Sequence, residues 1–592
     1  MNNKEFRKKS DVSPKEQMDV IIKKYLASNP IGRMDGRTNE VELRFGTNTR
    51  KHKQFTKIDY DNVVKQLYAS GFVPINTEGT HSLRIFHEHI DPRGMRKMSN
   101  IRTELNGIDL IQEYCKTNSI QNLLDLPSTT YDKIIFNKKM RVKTDEGDNL
   151  EYADFEDFNM RIAYDLEESF TARSGLIRSI IQKWNESKKT FRYMNRVRFR
   201  HADYPIFADI SILQKSKTSS GQSMKFYTVQ DADLFNSAES YEIEMELDNS
   251  RMGVGTDYND VKKIGDVIRK MTRIVMSGLQ QTNYPISYSE QFNIQNEYMK
   301  LLHGDEYQPR KMRPRDFIGP SSFTLQMPNI MEPSESIDTP NIRVNYTVTD
   351  KADGDRCLMF INGEGKIYLI NTNLSVIFTG SYTASKPLYN TLIDGEHIRT
   401  DKHDSKINLF AAFDIYCINK KSTRSLEFYP TDKKEDDEDE LTDKKDDKKD
   451  DKKDDKEESK KTKVYRLQLL KKVITDLNPT SIIKNSICDI SIVCKKFYST
   501  TSTRSIFRCC SHILSNVEDG SYEYNTDGLI FTPCSLGVGS SEIGKAGPLH
   551  KVSWDHSFKW KPSEYNTIDF LVSVKKNKQG KYISVLKGKI LD

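Results

Sequence analysis

The sequence predicts an α+β chain of several domains, with an antiparallel β-barrel first and a mixed α/β domain after it. Three observations carry this reading. The 592 residues exceed what one hydrophobic core ordinarily organises. From about Lys15 to Leu247, short segments such as "EVELRFG", "NMRIAYDLEES", "FADISIL" and "YEIEMELD" alternate apolar and polar residues with a period of two. From about Leu301 to Phe570, strand-like and helix-like segments mix and one highly charged tract interrupts them.

In "YEIEMEL", Glu242, Glu244 and Glu246 fall on one strand face, opposite Ile243, Met245 and Leu247. Their carboxylates then line up about 7 Å apart. In "NEVELRF", Glu40, Glu42 and Arg44 share a face opposite Val41, Leu43 and Phe45. Taken singly, each is a half-buried strand with its charges in water. The pattern recurs with mixed sign, however: Arg102 with Glu104, Lys139 with Arg141 and Lys143, Arg161, Arg198 with Arg200, and Asp209 with Ser211.

Many strands of this kind permit a barrel whose apolar side packs outward on helices while its charged side faces a tunnel. Clustered glutamates stay ionised only if bases or a divalent cation neutralise them, and carboxylate oxygens suit Mg²⁺ or Mn²⁺. The bases would hold a triphosphate, so the implied chemistry is metal-assisted attack of water on a terminal phosphate. The segment 257–279 keeps three-to-four spacing at Val261, Ile264, Val267, Ile268, Met271, Ile274 and Val275, and predicts a helix that closes this domain near residue 285.

The second region, 300–570, contains "TVTDKADGDRCLMFI" (347–361). Lys351 there is either a turn lysine at a strand end or a nucleophile. A nucleophilic lysine must be unprotonated, and at a pKa near ~10.4 only about one in a thousand is neutral at pH 7.4. Burial or nearby positive charge would have to lower that value. Gly354 permits a tight turn that keeps Arg356 near Lys351. Further on, "TLIDGEHI" (391–398) reads as a strand ending in Asp-Gly that delivers Glu396, and "LFAAFDIYCIN" (409–419) carries Asp414. "NTDGLIFTP" (525–533) carries Asp527, and "SFKWKP" (557–562) alternates Lys559 and Lys561 around Trp560. Each has an ordinary reading as a hairpin turn or a solvated edge strand; their order gives them weight.

Thr431 to Lys463 holds 16 acids and 12 lysines, which leaves the rest of the chain about +10 against a formal total of +6. The tract cannot bury enough apolar surface to order itself and is read as a disordered insertion. The basic remainder suits a polyanionic substrate such as a nucleotide or RNA, although solubility alone also explains it. Eight cysteines without a Cys-x-x-Cys pair read as reduced thiols of an intracellular protein. No apolar run approaches the roughly 20 residues that span a bilayer, and the N-terminus lacks a signal-peptide core, so no membrane partner is expected.

Paired Glu-x-Glu strands at the two ends of a β-rich domain resemble the triphosphate tunnel metalloenzymes in the version that acts as RNA 5′-triphosphatase. The resemblance implies metal-binding carboxylates at Glu40, Glu42, Glu244 and Glu246, with Glu242 in support. Strand parity alone adds Arg102, Lys139, Arg141, Arg198 and Arg200 as tunnel bases. The ordered segments from Lys351 to Lys561 resemble motifs of the covalent nucleotidyltransferases, and "TDGLIFTP" with "FKWKP" is closer to mRNA guanylyltransferases than to ligases. "FIGPSSFTLQ" (317–326) also resembles the guanylyltransferase family.

This resemblance implies that Lys351 forms a lysyl-GMP adduct from GTP, that Arg356 and Glu396 hold the ribose, and that Lys559 and Lys561 neutralise phosphate. Asp527, with Glu396, would place Mg²⁺ or Mn²⁺. It also implies 5′-triphosphate RNA as substrate, and a cytoplasmic viral factory or virion of a large DNA virus as the setting. Implied partners are a methyltransferase domain or subunit and the viral transcription machinery. Residues 571–592 read as the start of an oligonucleotide-binding-fold domain. An ATP-dependent polynucleotide ligase, or a silent RNA-end-binding scaffold, is the alternative.

Overall fold

The computed structural model describes residues 12–565 and Thr567, except 34–35, 91–92, 127–132, 220–221, 334–338, 432–462 and 502. The charged insertion and the expected C-terminal domain start at 571 thus lie outside the described residues. The chain divides into two compact units, Met1–Asn293 and Ile294–Asp592.

Eight long strands build the first unit: β1 (Arg37–Phe45), β2 (Thr80–Ile90), β3 (Arg96–Asn106), β4 (Ile134–Arg141), β5 (Met160–Phe170), β6 (Lys189–Arg200), β7 (Ile206–Lys215) and β8 (Ser240–Leu247). They pair in the order β1-β8-β7-β6-β2-β3-β4-β5, and β5 pairs back onto β1. The sheet is therefore a closed antiparallel barrel, without a free edge among these strands.

Its apolar face points outward. Val41, Leu43, Ile243 and Met245 pack with Ile21 and Ile22 of helix α1 (Pro14–Ala27), with Val63 and Leu67 of α2 (Lys57–Ala69), and with Ile264 and Met271 beyond them. On another side Leu83, Ile85, Ile101 and Leu105 pack with Tyr114 of α3 (Ile108–Thr117) and Trp184. Ile264 and Met271 belong to α4 (Val261–Gln280), the helix expected from the three-to-four spacing; Asp260 caps it by accepting from the Lys263 N–H. Burying the odd-numbered residues of β1 and β8 outside forces the even-numbered ones inside. The charged interior is the geometric consequence.

The second unit holds two sheets. One contains β9 (Ser321–Thr324), β10 (Tyr346–Ala352), β17 (Tyr498–Ser499), β18 (Thr526–Pro533) and β19 (Ser553–Trp560), in the order β9-β19-β18-β10-β17. The other centres on β11 (Asp355–Ile361), β12 (Lys366–Asn371), β13 (Val376–Tyr382), β14 (Thr391–Thr400) and β15 (Lys406–Ile418), in the order β15-β14-β11-β12-β13, with β16 (Ser491–Cys494) parallel to β15. Helix α5 (Arg466–Leu477) packs Leu467 and Leu470 on Met359, Ile393 and Phe410 of this sheet. Helix α6 (Ile506–Glu518) packs Ile506 and Ile513 on Val348, Leu529 and Phe531 of the first.

The chain passes from one sheet to the other between Ala352 and Asp355, directly after Lys351. All eight cysteines are free thiols. Among the described residues no helix is long and apolar enough to cross a membrane.

Candidate functional sites

The barrel encloses a cavity of about 340 Å³ whose lining includes Glu40, Glu42, Arg44, Arg102, Lys139 and Glu244. Pairing register concentrates its charge. Glu42 stands opposite Glu246 and Arg44 opposite Glu244 across β1 and β8, and Glu40 stands opposite Asp165 across β1 and β5. Like charges directly opposite repel, so the interior depends on cross-linking bases. Lys139 Nζ lies 2.6 Å from Glu40, 3.4 Å from Glu42 and 3.6 Å from Asp165, one ammonium among three carboxylates. Arg44 and Arg196 grip Glu244 at 2.7 and 2.9 Å. Arg198 bridges Asp209 and Glu246, each at 2.6 Å.

These surroundings set the acidities. Burial, then the neighbouring Glu244 charge, pushes the Glu42 carboxyl up to about 7. Burial also pushes Glu246 up to about 7, against the pull of Arg198. Glu40 and Asp165 move up as well, chiefly by burial. Burial opposes the ionisation of Glu244, yet Arg44 and Arg196 outweigh it and hold its carboxyl below the usual range.

Glu242 is tied to Arg192 and to Lys215, the latter at 3.0 Å. Arg102 holds Glu167 at 2.7 Å. Arg141 donates to the Leu150 carbonyl and lies 3.7 Å from the Tyr152 ring centre. Arg200 departs from the pattern: it shares the parity of Arg198 but is exposed at the strand end, opposite Val73, and does not line the cavity. Conversely Arg84, Arg192 and Arg196 do line it. The parity that singled out Arg198 extends back along "TFRYMNRVRFR" to both Arg192 and Arg196, and Leu83 and Ile85 flank Arg84 in the same manner. Asp165, whose neighbours Tyr164 and Leu166 mark its face less sharply, carried a weaker signal.

In the second unit Asp527 Oδ1 lies 2.6 Å from Lys351 Nζ and its Oδ2 lies 2.6 Å from Lys561 Nζ. One carboxylate thus bridges two lysines. Burial raises the Asp527 pKa, but hydrogen bonds from Lys351 and Lys561 win, and the group sits below the usual carboxylate range. Lys559 lies half-buried on β19, two residues before Lys561.

Gly528 makes this approach possible. It holds φ +145°, and a Cβ there would fall 1.9 Å from the Trp560 carbonyl oxygen. Its Asp-Gly therefore marks strand contact, where a hairpin turn was one reading. Gly354 likewise serves approach: a Cβ would meet Glu396 at 2.8 Å. The second Asp-Gly does not end its strand, because β14 runs on to Thr400 through a register shift at Asp394 and Gly395. A bulge there re-aims the strand without stopping it.

Arg356 donates two hydrogen bonds to the buried Asp394, at 3.1 and 2.6 Å, and a third to the Pro320 carbonyl, while Phe317 and Phe413 flank its guanidinium. Glu396, directly opposite Arg356 in the β11–β14 pairing, is pushed up to about 7 by burial, against Lys495, Arg356 and Lys351. Lys495 was not foreseen. It is buried, 3.0 Å from Asp350 Oδ2, and lies one residue past β16 in a stretch whose only sequence signal was a Lys-Lys pair. Asp414 stands opposite Asp394 in the β14–β15 pairing, and the fully buried Arg466 of α5 takes both its oxygens, at 2.8 and 3.2 Å.

Among the described residues, no three acidic, histidine or cysteine groups stand ready to hold a metal ion. The barrel carboxylates are turned onto bases. Their chemistry nevertheless fits a hard divalent cation, since Glu40, Glu42 and Asp165 converge on one cationic group and supply carboxylate oxygens to it.

Residues 336–473 match the family model described as mRNA capping enzyme, catalytic domain. The chain is 28% identical over 349 residues to a probable mRNA-capping enzyme of Acanthamoeba polyphaga mimivirus, which covers 58% of this chain and 26% of that relative. It thus spans about a quarter of the relative's length. Two solved structures of the S. pombe Pct1 RNA triphosphatase, one free and one in complex with the Spt5 CTD, align at 13% and 11% identity with a TM-score of 0.22. Each covers 46% of this chain and 93% of its own. Lys351, Arg356 and Glu396 lie within the segment 336–473 that matches this family model.

Proposed function

We propose that the protein caps RNA 5′ ends in two steps. In the barrel, water attacks the γ-phosphorus of a 5′-triphosphate, the bond from that phosphorus to the β–γ bridging oxygen breaks, and inorganic phosphate leaves a 5′-diphosphate end. Arg102, Lys139, Arg141 and Arg198 hold the phosphates, aided by Arg44, Arg84, Arg192 and Arg196. Glu40, Glu42, Glu244 and Glu246, with Glu242 behind them, would hold Mg²⁺ or Mn²⁺. When bound, that ion polarises the attacked phosphate and activates water.

In the second unit the unprotonated Lys351 amine attacks the α-phosphorus of GTP. A P–N bond forms, the α–β bridge breaks, and pyrophosphate takes the departing electron pair. A diphosphate oxygen of the RNA then attacks the same phosphorus and releases the lysine. Lys559 and Lys561 neutralise phosphate charge. Arg356, braced by Asp394, and Glu396 hold the ribose, while Asp527 would help place a second divalent ion.

The observation that carries this reading is Lys351, inside the segment 336–473 that matches the capping family model, held next to Asp527 and Lys561. A large cytoplasmic DNA virus, with transcription machinery and a methyltransferase as partners, is the setting that fits the mimivirus relative. The test is incubation with α-labelled GTP, a divalent cation and pyrophosphatase. An acid-labile adduct is expected on the wild type and none on Lys351→Ala; equal labelling of both would overturn the assignment, and labelling by ATP instead of GTP would point to a ligase. Glu244→Ala should abolish phosphate release from triphosphate RNA and leave labelling within about twofold.

A further inference from the structure

Outside the barrel lies a second concavity, of about 830 Å³. Its walls are the end of α2 at Gln66 and Ser70, the connection 201–204 between β6 and β7, and one face of α4. Arg269, Lys270 and Arg273 line it from α4; Asp203 is the single carboxylate in the lining. The triphosphate chemistry proposed for the barrel uses none of these residues.

The groove has a fixed wall. The Arg251 guanidinium donates to the carbonyls of His201, Ala202 and Tyr204 at 3.1, 2.8 and 3.0 Å, and the Tyr258 hydroxyl donates to the Asp203 carbonyl. His201 accepts from the Asp203 N–H at Nδ1 and stands 3.1 Å from the Ser70 carbonyl at Nε2, which ties the connection to α2. Tyr204 lines the groove half-buried, with its ring 4.6 Å from that of His201 and its hydroxyl accepting a hydrogen bond from Lys270. Arg269 has Asp266 as a partner, and Arg273 donates to the Asn283 carbonyl at 3.0 Å. Both guanidiniums keep further N–H donors beyond these bonds. Three cations beside an aromatic ring, in a concavity large enough for more than one nucleotide, match the way single strands are gripped: cations track the backbone and rings meet bases.

We propose that this groove binds the phosphodiester backbone of single-stranded RNA, as a site separate from the barrel cavity. The proposal deepens the capping reading, and rests on it, in that the bound strand is the body of the transcript whose 5′ end the barrel trims.

The test uses the full chain and a short single-stranded RNA with a 5′-hydroxyl end, which offers the barrel no triphosphate. Binding is followed by fluorescence anisotropy across a salt series. The triple variant Arg269→Ala, Lys270→Ala, Arg273→Ala should weaken binding at least tenfold and flatten the slope of log K on log salt by about 2. Lys270→Glu alone should weaken it severalfold, which keeps the proposal testable should the triple variant fold poorly. Hydrolysis of inorganic tripolyphosphate should be unchanged in both variants, while KM for long triphosphate RNA rises and kcat holds.

Unaltered affinity and salt slope in the folded triple variant would overturn the proposal. So would an equal loss of binding to a polyglutamate peptide of matching charge, since that marks an indiscriminate basic face. Failure of the wild type to hydrolyse tripolyphosphate would instead sink the triphosphatase reading and leave the RNA-binding result to stand alone.

Discussion

The barrel and the Lys351 site solve opposite electrostatic problems with the same parts. In the barrel one lysine, Lys139, sits among three carboxylates. In the second unit one carboxylate, Asp527, sits between two lysines. At Lys139 the carboxylates outnumber the ammonium, and burial, then the neighbouring Glu244 charge, pushes Glu42 up to about 7. The second arrangement is short of negative charge, so Asp527 is pulled below its usual range. The carboxylate cluster at Lys139 is suited to a cation, although the cavity lining as a whole carries more bases than acids, and the lysine pair at Asp527 is suited to phosphate. The two clusters therefore differ in which kind of ligand relaxes them.

Lys139→Met attacks the comparison hardest. It strands Glu40, Glu42 and Asp165 without their shared ammonium, and the barrel should lose about 3 kcal/mol at pH 8. The loss should shrink toward pH 5 as these carboxyls take up protons. Denaturant unfolding, read through hydrogen exchange of β1, measures it; an equal loss at both pH values would mean that Lys139 acts by packing alone.

Asp527→Asn probes the other arrangement and should cost about 1–2 kcal/mol at neutral pH. The sign is opposite. The folded pKa of Asp527 lies below its unfolded value of 3.8, so its contribution is present above that pH and fades as pH falls through the folded value. The gap between variant and wild type should be flat above about pH 5 and begin to close only below pH 3.8.

Glu42→Gln is the gentlest change and should stabilise. The folded pKa of Glu42, about 7, lies above its unfolded 4.5. Wild-type stability from this group is thus highest below pH 4.5 and drains away as pH rises to about 7. The variant should melt a few degrees higher at pH 8 and match the wild type near pH 4.5. Added Mg²⁺ or Mn²⁺ should raise the wild-type Tm more than that of the variant; identical shifts would remove Glu42 from the proposed metal site.

Much of the barrel was legible because it has a two-residue period. Once Val41, Leu43, Ile243 and Met245 are buried against helices, the orientation of Glu40, Glu42, Glu244 and Glu246 follows without knowledge of their partners. Parity failed where strands ran out: Arg200 lies exposed at the end of β6, opposite Val73, and Lys143 lies exposed past the end of β4, while Arg198, Glu242 and Glu246 keep their face but do not line the cavity. In the second unit the order of short motifs brought Lys351, Asp527 and Lys561 into one expectation. Gly354 lies in the turn expected of it, whereas the task of Gly528 was misjudged. A tight turn is a local property, whereas the 1.9 Å approach of Trp560 to the Gly528 position depends on a strand that begins 25 residues later.

The sequence by itself determined the alternation that turns the barrel inside out and the residue types gathered around Lys351. Both are local matters of side-chain chemistry and backbone period. The tertiary structure alone decided which charges pair. Register set Glu42 against Glu246, gave Lys139 three carboxylates, brought buried Lys495 to Asp350, and folded Arg269, Lys270 and Arg273 along a groove rather than a flat face. Coulomb energy and burial depend on distances across the fold, and no spacing along the chain encodes them.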